Sequence, residues 1–383
     1  MIASDAKAEH LVFVIRLSAI GDTIITAWAL RKLRLNGYEP VLVTFPGQKD
    51  IGRSMPHLNK LVLANKDGTF ELLERELTLG VFPLPKETQS PKGNTLQSLW
   101  AAKKVSILDL QKTSRSARCR SNILKELART GQSAEECLSV SKRTLYRFFL
   151  LVWAWISFSQ KGRSQGIQKE NIFNIQKLQD QLIEKFLAKQ GSTQPANIKI
   201  ENIPLLQPAE CAKAEKELIP SHPYIAVFPG ASGFIKTWPK ERFRKLIELT
   251  LKKTQLEIVI CGGEDEKTVG NYLQFSERTR IHNLAGKISL ACTLKVIEGA
   301  KHIVTNDSFA GHAAHSLGKS ASIIYGPTSP LFGFLPEAPN VTAHYANLKC
   351  SPCTRHGKSP CRFKNLTCMQ QINADDIFKD YSL

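Results

Sequence analysis

The chain has 383 residues, room for about two or three domains by the usual size of folding units. Its 42% hydrophobic and 22% charged content is that of a soluble globular protein with a sizeable core. The net charge of +18 points to an anionic partner, whether nucleic acid, an anionic membrane surface or a phosphorylated substrate, and charge alone does not choose among them.

The opening segment MIASDAKAEH is polar, mixed in charge and without the apolar stretch of a secretory signal, so export is not expected. LVFVIRL (11–17) is a strand-length run, and a helix is expected over Thr23 to Leu35. VLVTF (41–45), KLVLAN (60–65) and VSILDL (105–110) read as further strands, and residues 66–100 as irregular. The longest mostly apolar window, FFLLVWAWISF (148–158), is too short for a bilayer span, which takes about 20 residues. Basic residues on either side (Lys142, Arg143, Arg147, Lys161, Arg163) and Trp153 and Trp155 within leave two readings, a buried helix or one lying in a membrane interface.

GSTQPANIKIENIPLLQP (191–208) reads as a linker. A second regular series follows. Strand YIAVFPG (224–230) leads to a helix over Lys240 to Thr254 and strand LEIVICGG (256–263). Helix Glu264 to Glu277, strand IHNLAG, helix Ser289 to Ala300, strand HIVTN, a helix ended by Gly318 and strand ASIIYG (321–326) complete it. Alternation of this kind predicts an α/β protein of two doubly wound parallel-sheet domains, residues 1–195 and 205–383, facing a cleft. Ligands in such sheets sit beyond the strand carboxyl ends, and four of those ends carry chemistry.

The first end is RLSAIGD. Asp22 reads as a helix cap or as a general base, and the turn lacks the GxGxxG of a dinucleotide fold. The second is FPGASGFIK, where Gly230, Ala231 and Ser232 form a turn whose N–H groups can approach phosphate. Lys236 beyond it is either a charge for a diphosphate leaving group or a surface lysine beside a packed tryptophan. The third is ICGGEDE, where Glu264 suits either ribose hydroxyls or the positive end of a helix. The fourth is VTNDSFAGHAAHSLG. Its His312 and His315 share a helix face, but the HExxH spacing and further ligands of a metal site are missing. A helix start capped by Asp307 or Ser308 at a strand end is better read as an anion cradle.

Taken in order, VIRLSAIGDTIITAWALRKL, ILDLQKTSRSA, FPGASGFIKTWPKERF, ICGGEDE, NLAGKISL, TNDSFAGHAAHSLGKSASIIYGPTSP and CSPC…C…CM resemble the ADP-heptose:lipopolysaccharide heptosyltransferases, glycosyltransferase family 9. The resemblance implies a GT-B fold with an acceptor-binding N-terminal domain and a nucleotide-sugar-binding C-terminal domain. It implies inverting transfer of a heptose, or a related sugar, from an ADP-sugar onto the lipopolysaccharide inner core. Asp22 would be the general base and Lys236 the residue that steadies the departing diphosphate. Gly230, Ala231, Ser232, Glu264, Asp307, Ser308, Phe309 and His312 would hold the nucleotide-sugar, with Ser18, Gly21 and Arg115 on the acceptor side. Phe309 stands where the family carries glycine, adding bulk and restricting the backbone.

Such chemistry needs a base for the nucleophile and positive charge or N–H donors for the diphosphate, and no divalent cation. The implied partners are the ADP-sugar and a lipid A/Kdo-type acceptor, at the cytoplasmic face of an inner membrane, with a monomer and no nucleic acid expected. Cys350, Cys353, Cys361 and Cys368, spaced C-x2-C-x7-C-x6-C, suggest a structural zinc with His356 as a substitute ligand, or plain reduced thiols. Two rival readings remain: a family member that binds without catalysing, and a basic nucleic-acid-binding zinc protein. Against the second, no nucleic-acid-binding signature is present.

Overall fold

A computed structural model describes residues 10–74, 99–100, 102, 104–140, 174–191, 205–209, 211–275, 279–336, 338–354 and 356–381. The 148–158 window and most of the 191–208 segment lie outside the described residues. Two compact units emerge: the described residues of Met1–Lys142 and Gln176–Ala209 form one, those of Arg143–Ile175 and Glu210–Leu383 the other.

The first unit runs β1 (His10–Ile15), α1 (Ile20–Leu35), β2 (Glu39–Thr44), β3 (Lys60–Ala64), β4 (Phe70–Glu74), β5 (Lys104–Asp109), α2 (Ser114–Arg129), β6 (Ala134–Ser139) and α3 (Ile175–Lys189). Its sheet order is β4-β3-β2-β1-β5-β6, parallel except for β4, which pairs antiparallel with β3. β1 is buried along its whole length, as a strand covered on both faces must be, so HLVFVI reads as a continuous apolar run after one polar residue. Phe13 stacks on Trp100 at 5.5 Å within that core. The strand at 70–74 falls inside the segment expected to be irregular.

Two helices close the layers. α2 starts on a reciprocal cap, Thr113 accepting from the Ser116 N–H while the Ser116 hydroxyl accepts from the Thr113 N–H. It buries Cys119, Ile123 and Leu127 at four-residue spacing. α3 returns to the first unit through the Trp28 indole, which donates to Asp180 at 2.6 Å, and through Phe186 against Tyr38 and His10.

The second unit runs β7 (Tyr224–Phe228), α4 (Lys240–Lys253), β8 (Glu257–Ile260), α5 (Lys267–Leu273), β9 (Ile281–Asn283), α6 (Leu290–Gly299), β10 (His302–Asn306), α7 (Phe309–Ser316), β11 (Ala321–Tyr325), β12 (Val341–Tyr345) and α8 (Ala374–Lys379). Its order is β12-β11-β10-β7-β8-β9, all parallel. The helix expected from Glu264 is a 3-10 turn over Glu264–Glu266 that passes into α5. In both sheets the order reverses beside the first strand, between β1 and β5 and between β7 and β10. A reversal splays the connecting loops apart and leaves a crevice at the strand carboxyl ends.

Candidate active site

In the first unit the crevice at the reversal is framed by the loops after β1 and β5. Gln111 and Gln48 brace the first of these. The Gln111 carbonyl accepts from the Leu17 N–H at 2.7 Å and its amide donates to Ser18 Oγ at 3.3 Å, while Gln48 donates to the Leu17 carbonyl at 2.8 Å. Asp22 is not the cap of α1 but its third residue. Ala19 occupies the cap position without a side-chain acceptor, and the Asp22 carboxylate reaches back to the Ala19 N–H at 3.4 Å. That carboxylate also pairs with Arg16, whose guanidinium is buried and donates to the Leu110 carbonyl at 2.7 Å.

Arg16 escaped the sequence reading because it sits inside what looks like an ordinary strand run. A charged residue directly after a buried first strand was the available signal. Ser18 lies on the loop after β1, and Gly21 and Asp22 follow it in the first turn of α1. Arg115 is exposed on the first turn of α2, just after the neighbouring loop. Asp109 shapes that loop, accepting from the N–H groups of Gln111 and Lys112 and from the Ser116 hydroxyl.

In the second unit the ends of β7, β8, β10 and β11 converge. Asn306 ties β10 to β7, donating to the Pro229 carbonyl at 2.7 Å and accepting from the Trp238 N–H at 2.9 Å. Lys236 is no surface lysine: it is 7% exposed, and its ammonium lies 2.7 Å from Asp307. Thr328 donates to the same carboxylate oxygen at 2.8 Å. Ser308, not Asp307, caps α7, accepting from the Ala310 N–H at 3.4 Å and bonded to the Thr305 hydroxyl at 2.8 Å. Gly311 lets this helix lie close on β11, where an added Cβ would meet Ile323 at 2.5 Å. His312 is half-buried on the same helix, and His315 is held below its ordinary pKa by burial and then by His312.

Phe309 is the first residue of α7, in helical backbone that does not need glycine, and its ring packs edge-on against Phe228 at 6.0 Å. Glu264 is largely exposed and pairs with Lys267 at 2.6 Å. Glu266 instead folds back over the strand ends, accepting from the Gly263 N–H at 2.8 Å and covering Gly230 and Gly262, where an added Cβ would meet its side chain. The sequence offered three adjacent acidic residues, and only the 3-10 geometry separates the inward one from the outward ones. Gly230 and Ala231 are half-buried beside it and Ser232 is exposed.

The four C-terminal cysteines are all unbonded to one another as disulfides. Among the described residues, no three His, Cys, Asp or Glu side chains are gathered in a set able to hold a metal ion. Cys368 is drawn into the hydrophobic core beside Met369, and burial, followed by the neighbouring Cys353, Cys350 and Cys361, pushes its thiol up to about 12.

Residues 177–365 match the family model described as Glycosyltransferase family 9 (heptosyltransferase). Lipooligosaccharide heptosyltransferase 2 of Haemophilus influenzae is 28% identical over 189 residues, 45% of this chain and 54% of that protein. Lipopolysaccharide heptosyltransferase 2 of Escherichia coli is 31% identical over 138 residues, 34% of this chain and 39% of that protein. The sequence matches thus span about half, or less, of these relatives. Among solved structures, E. coli ADP-heptose lps heptosyltransferase II superposes with a TM-score of 0.61 at 18% identity over 96% of both chains. E. coli heptosyltransferase WaaC with ADP-2-deoxy-2-fluoro heptose gives 0.58 at 17% identity, over 96% of this chain and 98% of that one. The shared fold is the two-domain GT-B architecture.

Proposed function

Residues 177–365 belong to glycosyltransferase family 9, and from that premise we propose that the chain is an inverting heptosyltransferase acting on the lipopolysaccharide inner core. The observation that carries the reading is the Lys236–Asp307–Thr328 cluster at the β7/β10 reversal, a buried cation beside a capped helix start. An ADP-sugar diphosphate is the ligand such a place suits: α7 offers backbone N–H groups and Lys236 offers charge. The Lys236 ammonium has three protons and Asp307 takes one, so two remain for phosphate oxygens. Gly230, Ala231, Ser232, Ser308, Phe309 and His312 would line the sugar-nucleotide, with Glu266 joining Glu264 as the ribose-side carboxylate.

On the acceptor side, Asp22 takes the proton of the attacking hydroxyl, held in place by Arg16. Ser18, Gly21 and Arg115 would orient the acceptor, with Arg115 facing its phosphate or carboxylate groups. The attacking oxygen bonds to the anomeric carbon as the bond to the diphosphate breaks, which inverts that centre. The reading asks for no divalent cation, because Lys236 and the N–H groups supply the charge. The net charge of +18 suits an anionic acceptor at the cytoplasmic membrane face. Among the described residues no helix is long and apolar enough to cross a membrane. The test is ligand-induced stabilisation: ADP should raise the melting temperature, and UDP and GDP at equal concentration should raise it less. Equal shifts for all three would remove the ADP-sugar reading.

A further inference from the structure

We infer that the C-terminal loop residues 351–354 and 356–357 are the support that positions Lys236, and that Gly357 and Gly233 are the residues that let them do so. The inference rests on Lys236 acting at the donor diphosphate. A lysine stem is flexible, and the turn Phe234–Lys236 that carries it has a 3-10 form only three residues long. Something must hold the stem for the ammonium to stay 2.7 Å from Asp307 in a buried place.

Gly357 lies against that stem. A Cβ at Gly357 would meet Lys236 Cδ at 2.7 Å and Cγ closer still, and its φ of +68° is one that side chains rarely adopt. Gly233, at the start of the lysine turn, touches the same loop from the other side. A Cβ there would meet the carbonyl oxygens of His356 and Gly357, both at 2.6 Å. Without side chains at these two glycines, the backbone of the loop lies close to the start of the lysine turn and to the lysine stem.

The loop is itself fixed. Thr354 accepts from the N–H groups of His356 at 3.4 Å and Gly357 at 3.1 Å. The N–H groups of Cys353 and Thr354 donate to the Pro327 carbonyl at 3.0 and 3.2 Å, and the Ser351 hydroxyl donates to the Gly326 carbonyl at 2.7 Å. Thr328, the next residue, donates to Asp307. The contacts close a ring: Lys236 to Asp307, to Thr328, to the 326–327 carbonyls, to the loop, and through Gly357 back to Lys236. The loop that carries Cys353 thus acts as scaffold for the lysine, and its own sulfurs play no part in the ring.

A double-mutant cycle tests this. Gly357→Ala should lower kcat/KM for ADP-heptose, with deacylated inner-core saccharide as acceptor, by about tenfold to a hundredfold, as displacing a positioned group does. In a Lys236→Ala background the same change should cost less than about twofold, because the stem it displaces is gone. The melting-temperature loss caused by Gly357→Ala should shrink in that background too. Equal losses in both backgrounds, in turnover and in melting temperature, would overturn the inference. If Lys236→Ala alone leaves kcat/KM unchanged, the role of Lys236 fails, and the melting-temperature cycle still decides whether the loop holds its stem. Should Gly357→Ala not fold, Gly233→Ala serves: its φ of −138° suits any residue, so its effect comes from the collision with the loop. Wild-type turnover in Gly233→Ala would then count against the loop.

Discussion

Asp22 and Arg16 form a pair in which neither residue is placed by helix capping alone. A carboxylate whose only task was to complete the start of α1 would need no buried guanidinium beside it, and burying that guanidinium carries a desolvation cost. Replacing Asp22 with Asn keeps the shape and removes the base. Transfer should fall by about 10²- to 10⁴-fold while ADP-induced stabilisation stays at the wild-type level; turnover near wild type would reduce Asp22 to a structural residue. At this scale the sequence drew attention to these strand ends but not to every partner beside them. Asp22, Lys236 and Asp307 stand out because charged residues at strand ends are unusual. Arg16 and Glu266 did not, since one hides in an apolar run and the other in an acidic triplet whose directions only the 3-10 turn decides.

Among the elements, the central strands were legible and the edges were not. β1, β7, β10 and β11 are fully buried and read as apolar runs. β4, β6 and β12 are partly exposed, and FELLE, AEECLS and VTAHY have no such run. Helix α2 was missed because KTSRSARCRSN is dominated by polar and basic residues, with only three apolar side chains, Cys119, Ile123 and Leu127, on its buried face. Helix α6 begins where expected, at Ser289, whose hydroxyl accepts from the Cys292 N–H at 3.3 Å and donates to Glu215 at 2.7 Å. Ser289→Ala removes the cap and leaves the Glu215 carboxylate without that donor. It should cost about 1–2 kcal/mol in urea unfolding with an unchanged slope. A loss below a few tenths would mean that water replaces the cap.

For the molecule as a whole, stability should depend on pH through the far end of the second sheet. His302 on β10 bonds Ser322 at 2.8 Å, Ser322 donates to Asp380 at the end of α8, and His344 on β12 bonds the same carboxylate at 2.6 Å. Burial, opposed by Asp380 and aided by His344, lowers His302 from 6.5 to about 4. Below pH 6.5 the unfolded chain takes up this proton and the folded chain does not until about pH 4. The contribution of His302 is therefore complete above pH 6.5 and fades as pH falls, a loss of roughly 3 kcal/mol by pH 4. Chemical unfolding at pH 7 and pH 4.5 should show the drop, and His302→Gln should show a smaller one. An equal drop in the variant would assign it to other groups.

The fold class followed from the alternation of strands and helices along the chain, and the identity of the sugar did not, because pocket shape rather than motif selects it. The most direct measurement is ADP release from ADP-heptose in the presence of deacylated inner-core saccharide and EDTA, set beside UDP- and GDP-hexoses. The account predicts acceptor-dependent release of ADP from ADP-heptose that EDTA does not diminish. Release confined to another donor, or abolished by EDTA and restored by a divalent cation, would contradict it.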